Sequence, residues 1–158
     1  MDNRDPFVRA RDYAFLLLKF RLRSICEITQ RLKKKKFAPE VIEGTILFLK
    51  ERSFLDDAVF CRAWVDSRLR KSLGFGRIRQ ELNLKGIDRV LVEAVISELK
   101  SGYCEKEIVR KVAGLKFDKL KSVEPIAAKR RLYAFLIRRG FSPDVASETT
   151  NELCKQKS

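Results

Sequence analysis

The sequence predicts an all-α fold of three tandem three-helix repeats forming an elongated, curved array. Three observations carry that prediction. Apolar residues recur at helical spacing; alternating apolar runs and Asn-Gly or Asp-Gly hairpin dipeptides are missing; and the chain laid on itself coincides at a shift of 50 residues and then of a further 54. At 158 residues, 45% hydrophobic and rich in Leu, Ile, Val and Phe, the chain can bury a core despite its 35% charged residues. No apolar stretch approaches the roughly 20 residues that span a bilayer, and residues 1–11 open with mixed charges and no apolar signal core. A cytoplasmic protein without membrane contact is expected.

The helices follow in order. The first is expected over residues 5–21. The second, 24–35, starts at Ser24-Ile25-Cys26-Glu27, whose Ser and Glu three apart form a capping box. The third, 39–51, opens on Pro39, suited to a first turn because its missing N–H would have had no partner there. Asp56-Asp57, the one adjacent carboxylate pair, reads as the cap of the fourth, 56–71, rather than as an acid/base or metal pair. The fifth, 76–83, leaves Gly74-Phe75-Gly76, and the sixth and seventh occupy 88–100 and 105–115. The eighth, 124–139, and the ninth, 142–155, begin at Pro125 and at Ser142-Pro143.

The repeat holds register without a gap. Ile28, Ile78 and Leu132 align, then Leu32, Leu82 and Leu136, giving each second helix one i,i+4 apolar face. A turn residue follows, Lys36, Gly86 or Gly140, then Phe37, Ile87 or Phe141. Val41, Leu91 and Val145, Thr45, Val95 and Thr149, and Leu49, Leu99 and Leu153 continue it through the third helix. The repeats are expected over residues 1–53, 54–101 and 102–158. One such unit buries little surface alone, so neighbours must stack.

Chemistry is constrained by what is missing. The chain has no His, which removes the usual general base, the commonest metal ligand and every Ser-His or Cys-His pair. No phosphate-binding GxxxxGK[ST] occurs, and the four cysteines, Cys26, Cys61, Cys104 and Cys154, are too widely spaced for a metal knuckle and read as small buried hydrophobes. No enzyme activity, cofactor or metal is expected. What remains is charge: 35 basic against 21 acidic side chains, net +14. Residues 1–53 and 102–158 each carry 13 basic and seven acidic side chains, and residues 54–101 carry nine and seven. The dense runs are Lys33, Lys34, Lys35 and Lys36, then Lys129, Arg130 and Arg131, with Arg138-Arg139 beyond. Cations near a helix C-terminus complement its dipole, which accounts for part of the first run, and a solvated face is the plain alternative for both. Composition favours a polyanion or an acidic protein surface as partner and leaves both open.

Arg68-Leu69-Arg70-Lys71-Ser72-Leu73-Gly74, Arg77-Ile78-Arg79-Gln80-Glu81-Leu82 and Lys85-Gly86-Ile87 together resemble the central repeat of the RecX family of recombination regulators. Tyr13-Ala14, Leu17-Leu18, Arg21, Arg23-Ser24 and Glu27 resemble the family's first repeat, Phe54-Leu55-Asp56-Asp57 with Phe60 its entry to the second, and residues 136–141 its third. The resemblance covers nearly the whole chain in the right order. One departure is Lys36 at a turn where the later repeats have Gly, which predicts a looser turn or an extra residue. The resemblance implies a cytoplasmic, monomeric, non-catalytic protein of DNA repair, recombination and the SOS response. It would bind the RecA filament on single-stranded DNA and limit its growth, ATPase and strand exchange. Binding to bare single- or double-stranded DNA is expected to be weak and salt-dependent.

Within the central motif Ile78 and Leu82 are core positions and Gly86 a helix stop, whereas Arg77, Arg79 and Gln80 fall on the side that packing does not require. They are therefore candidate partner contacts, together with Arg68, Arg70 and Lys71 and the two outer basic runs. Trp64, four residues after Phe60, and Tyr13 and Tyr133 read as core or inter-repeat contacts rather than base-stacking platforms. A DNA-binding protein of helix-turn-helix type is the alternative. Its third helices, however, open with Pro39-Glu40, Asp88-Arg89 and Pro143-Asp144, where carboxylates would repel a phosphate backbone. A purely structural scaffold would leave the net charge unexplained.

Overall fold

The computed structural model describes residues 5–155, and within them every regular element is a helix. These are α1 (Pro6–Phe20), α2 (Ile25–Lys34), α3 (Pro39–Glu51), α4 (Asp57–Arg70), α5 (Phe75–Leu84), α6 (Arg89–Lys100), α7 (Glu105–Asp118), α8 (Pro125–Arg138) and α9 (Pro143–Lys155). They form three tandem three-helix repeats. The expected starts hold: Ser24 Oγ accepts from Glu27 N while the Glu27 carboxylate accepts from Ser24 N, and Pro39, Pro125 and Pro143 each open a helix. Asp56 Oδ1 accepts from Ala58 N and Val59 N at 2.7 and 3.3 Å, the cap predicted for it. Its neighbour Asp57 instead accepts from Ile25 N at 2.8 Å, satisfying an orphan N–H at the start of α2, 32 residues away. Helix α7 runs about one turn past its predicted end because Phe117 packs on the core and Leu120, just beyond, is buried.

The chain divides into two compact units, residues 1–63 with 82–92, and residues 64–81 with 93–158. The dividing points fall inside α4, α5 and α6, so the middle repeat contributes to both. In the first unit Ala10, Ala14, Leu17, Ile28, Leu32, Ile42 and Leu49 of α1, α2 and α3 close one core with Leu55. In the second, Val109, Ala113, Ala128, Leu132, Leu136, Phe141 and Ala146 do so with Leu120. All six i,i+4 positions of the repeat alignment, Ile28, Leu32, Ile78, Leu82, Leu132 and Leu136, are fully buried. Each such side chain contributes roughly 1.5–3 kcal/mol. The cysteines depart from expectation. Only Cys61 is buried; Cys104 lies exposed at the start of α7, where the chain needs a cap and no side-chain cap bond forms.

The three turns between second and third helices are alike. Phe37, Ile87 and Phe141 donate their N–H to the carbonyls of Leu32, Leu82 and Leu136, five residues back, at 3.1–3.3 Å, while Lys36, Gly86 and Gly140 each donate three back at 2.9 Å. This is the Schellman pattern, with the middle residue left-handed at φ 60°, 71° and 90°. Lys36 therefore makes the same turn as the glycines, neither looser nor longer, contrary to expectation. The later turns need Gly for a second reason, close packing. A Cβ on Gly86 would overlap the Cys26 side chain, and one on Gly140 would overlap the Arg77 backbone, because each turn sits on the start of the preceding repeat's second helix. Lys36, in the first repeat, carries its side chain exposed in the same left-handed region.

Candidate partner-binding cleft

The two repeat junctions use equivalent positions with different chemistry. In the first unit Ser24 Oγ donates to Lys85 O at 2.7 Å, and the Glu27 carboxylate collects Lys85 Nζ at 2.8 Å, Arg21 Nη2 at 2.8 Å and Ser24 N at 3.2 Å. Burial alone would raise the Glu27 pKa. The hydrogen bonds from Arg21, Lys85 and Ser24 overcome it and hold the carboxyl at about 2. In the second unit Gly74 N and Gly76 N donate to Arg139 O and Gly140 O at 2.8 and 3.0 Å. Arg139, aligned with Lys85, spreads its guanidinium over the carbonyls of Lys71 and Ser72 instead of a carboxylate. Backbone acceptors thus replace the acid, and the position aligned with Glu27 is free to be Arg77.

Around that junction lies a cleft of about 850 Å³, lined by α5 from Phe75 to Gln80, the end of α6 at Lys100, the start of α7 at Glu105, the end of α8, and residues 140–143. Arg77, Arg79 and Gln80 line it as exposed side chains while Ile78 and Leu82 are buried beneath them, the arrangement read from the sequence. Arg77 Nε donates to Glu81 at 3.1 Å, and Arg79 makes a two-pronged pair with Glu93 at 2.7 and 2.9 Å. The Glu93 carboxylate holds the Arg79 pKa above its ordinary value. The Arg138 and Lys100 side chains add two cations, the latter 5.9 Å over the Phe75 ring. Phe75 and Phe141 are buried, so the floor is apolar but offers no open aromatic face. Tyr103 braces it, meeting Phe75 edge-on at 5.1 Å and donating to Leu73 O at 3.3 Å; burial, with Glu105 nearby, pushes its hydroxyl pKa up to about 12.

The other predicted contact residues are distributed unevenly. Arg68 is only 19% exposed: its guanidinium lies 4.0 Å over the Trp64 ring and pairs with Glu81, which also accepts from Trp64 Nε1 at 3.1 Å. Trp64 is thus a half-buried platform already covered by an arginine, neither an inner core residue nor an open stacking face. Burial would raise the Glu81 pKa, but hydrogen bonds from Arg68 and Arg77 bring it below the ordinary value. Arg70 is exposed and pairs with Asp66; Lys71 is exposed. Lys33, Lys34, Lys35 and Lys36 are exposed at the end of α2 in the first unit, with Lys35 Nζ 5.3 Å over the Tyr13 ring. Lys129, Arg130 and Arg131 are exposed on α8, the first two beside a separate hollow of about 300 Å³ with Tyr133. The sequence does not single out Lys100 or Glu105, and it marks Arg138 only as part of the Arg138-Arg139 run, because three helices of two repeats must meet before these residues are neighbours. The repeat alignment held a signal: Arg77, Arg79 and Arg138 stand where the first junction has Glu27, Thr29 and Leu84.

Among the described residues no cluster of His, Cys, Asp or Glu is placed to hold a metal, and no helix is long and apolar enough to cross a membrane. Fold and cleft together define an all-α tandem-repeat protein with a basic, ligand-sized recess between its second and third repeats. Models of the first, second and third three-helix domains of RecX match residues 10–49, 56–96 and 105–149 in order. The regulatory protein RecX of Chlorobium phaeobacteroides is 32% identical over 92% of this chain and 93% of its own length. That of Finegoldia magna is 30% identical over 92% of this chain and 72% of its own. The crystal structure of RecX from Lactobacillus salivarius superposes with a TM-score of 0.80 at 19% identity, covering 94% of this chain and 97% of that one. The chain belongs to the RecX family of regulatory proteins.

Proposed function

We propose that this protein inhibits a RecA recombinase by binding the RecA filament on single-stranded DNA and limiting its growth, ATPase and strand exchange. Membership of the RecX family along all three repeats is the observation that carries it. The exposed Arg77, Arg79 and Gln80 of the cleft supply the contact surface, with Arg70, Lys71 and the outer runs Lys33 to Lys36 and Lys129 to Arg131 adding long-range attraction. Arg68 supports the surface through Trp64 and Glu81. Inhibition works by differential binding: the protein prefers a filament geometry or end that does not extend, and so shifts the population. Such a device needs shape and charge but no catalytic group. The protein acts in the cytoplasm as a monomer, which small-angle scattering tests through its mass, and binds bare DNA weakly with steep salt dependence. A helix-turn-helix mode is disfavoured by the acidic starts of the third helices, where Glu40 and Asp144 are exposed in the first turn and Asp88 caps α6.

The test is the DNA-dependent ATPase of RecA with and without the purified chain. The expected result is dose-dependent inhibition with no hydrolysis of ATP or cleavage of DNA by the chain alone. Unaltered RecA turnover at saturating protein would overturn it.

A further inference from the structure

The cleft between the second and third repeats has a ligand chemistry that can be read from its lining. Comparison within the chain shows that the fold does not require its charges, since the aligned positions of the first junction are Glu27, Thr29 and Leu84 and that junction closes well. Arg138 makes no ion pair among the described residues, and Arg77, although it touches Glu81, keeps a side chain 48% exposed. Four cations, Arg77, Arg79, Lys100 and Arg138, line a recess of about 850 Å³ that also contains one carboxylate, Glu105, and one amide, Gln80; Arg79 is held by Glu93, so Arg77, Lys100 and Arg138 carry most of the charge offered to a ligand.

Two features separate the candidate anions. Single-stranded nucleic acid is held by charge together with open aromatic faces on which bases stack, and here Phe75 and Phe141 are buried in the floor. A phosphodiester backbone carries no hydrogen-bond donor, so Glu105 would meet it only with repulsion. An extended peptide presents carboxylates to the guanidinium forks and backbone N–H groups to Glu105 and the Gln80 carbonyl. We propose that this cleft binds an acidic, extended peptide segment of the protein's macromolecular partner. The proposal rests on the preceding assignment only in taking that partner to be a protein.

The experiment is fluorescence anisotropy with a labelled decapeptide of alternating glutamate and alanine at physiological ionic strength, on the full chain. Oligothymidylate of matched charge serves as competitor. Arg77→Ala/Arg138→Ala is compared with Lys111→Ala/Lys119→Ala, which removes the same charge from exposed positions outside the cleft, and melting curves establish that both are folded. Saturable peptide binding is expected, weakened at least tenfold by the cleft variant, less than twofold by the lysine variant, and little displaced by oligothymidylate. Glu105→Ala should weaken the peptide while strengthening the oligonucleotide. Equal losses in the two double variants, or ready displacement of the peptide by oligothymidylate, would overturn the proposal by reducing the cleft to net charge or assigning it to nucleic acid. RecA ATPase measured on the same variants separates the two levels: inhibition that persists in wild type without any peptide binding refutes the ligand class and leaves the inhibitor function standing.

Discussion

Replacing Glu27 by glutamine removes the negative charge that ties the end of α1, the start of α2 and the turn after α5 together in the first unit. The wild-type carboxylate is 15% exposed and receives Arg21, Lys85 and the Ser24 N–H; in the variant an amide nitrogen must face donors. A folded-state pKa of about 2 against the ordinary 4.5, at about 1.4 kcal/mol per unit, corresponds to roughly 3 kcal/mol, which partial access of water reduces to about 2 kcal/mol. Because the pKa is depressed on folding, this contribution is complete above pH 4.5 and is lost as pH falls from there through about 2. Asp57 works in the opposite sense: burial first, then Asp56, raises its pKa against the hydrogen bond from Ile25, so its cost grows as pH rises above 3.8 and is common to both proteins. Urea denaturation of wild type and Glu27→Gln at pH 7 and pH 3 isolates the Glu27 contribution. The stability gap should be about 2 kcal/mol at pH 7 and less than half of that at pH 3. A gap that is absent at pH 7, or equally large at both, would refute the assignment of the carboxylate as the charged clasp of this junction.

Leu82→Ala should lower stability by roughly 2–5 kcal/mol through a core cavity, read as a shifted urea midpoint. Gly140→Ala forces a Cβ against the Arg77 backbone at φ 90° and should cost at least about 1 kcal/mol, whereas Lys36→Gly relieves an exposed left-handed residue and should gain about 1 kcal/mol. Thr45→Val should raise the melting temperature, with a gain of about 1 kcal/mol, because Thr45 Oγ1 is buried without a hydrogen-bond partner where the second repeat has Val95.

Local chemistry made most of the fold legible. The capping box at Ser24, the prolines at helix starts and the i,i+4 pairs each depend on residues within one or two turns, and each turned out as read. The Lys36 turn was not legible, because aligned glycines do not reveal that at Gly86 and Gly140 packing against the preceding repeat excludes a side chain, in addition to the left-handed φ favouring Gly. Asp57 looked like half of a local cap, but its partner, Ile25 N, lies in another repeat. The cleft was half legible. Arg77, Arg79 and Gln80 were visible as charges off the apolar face of one helix; Lys100, Glu105 and Arg138 join them only through tertiary packing. Arg68 shows the converse, a cation that stacks on Trp64 of its own helix, α4, and pairs with Glu81 of α5.

Co-sedimentation of the full chain with RecA filaments and with bare single-stranded DNA, side by side at physiological salt, tests the central claim most directly. Arg77→Ala/Arg79→Ala is the informative companion, since glutamates at these positions would face Glu81 and Glu93 and confuse contact with folding. The chain is expected to pellet with filaments and hardly at all with DNA alone, and the folded double-alanine variant should require at least tenfold more protein for the same binding. Equal recovery on bare DNA and on filaments, or filament binding unchanged in the variant, would contradict the account.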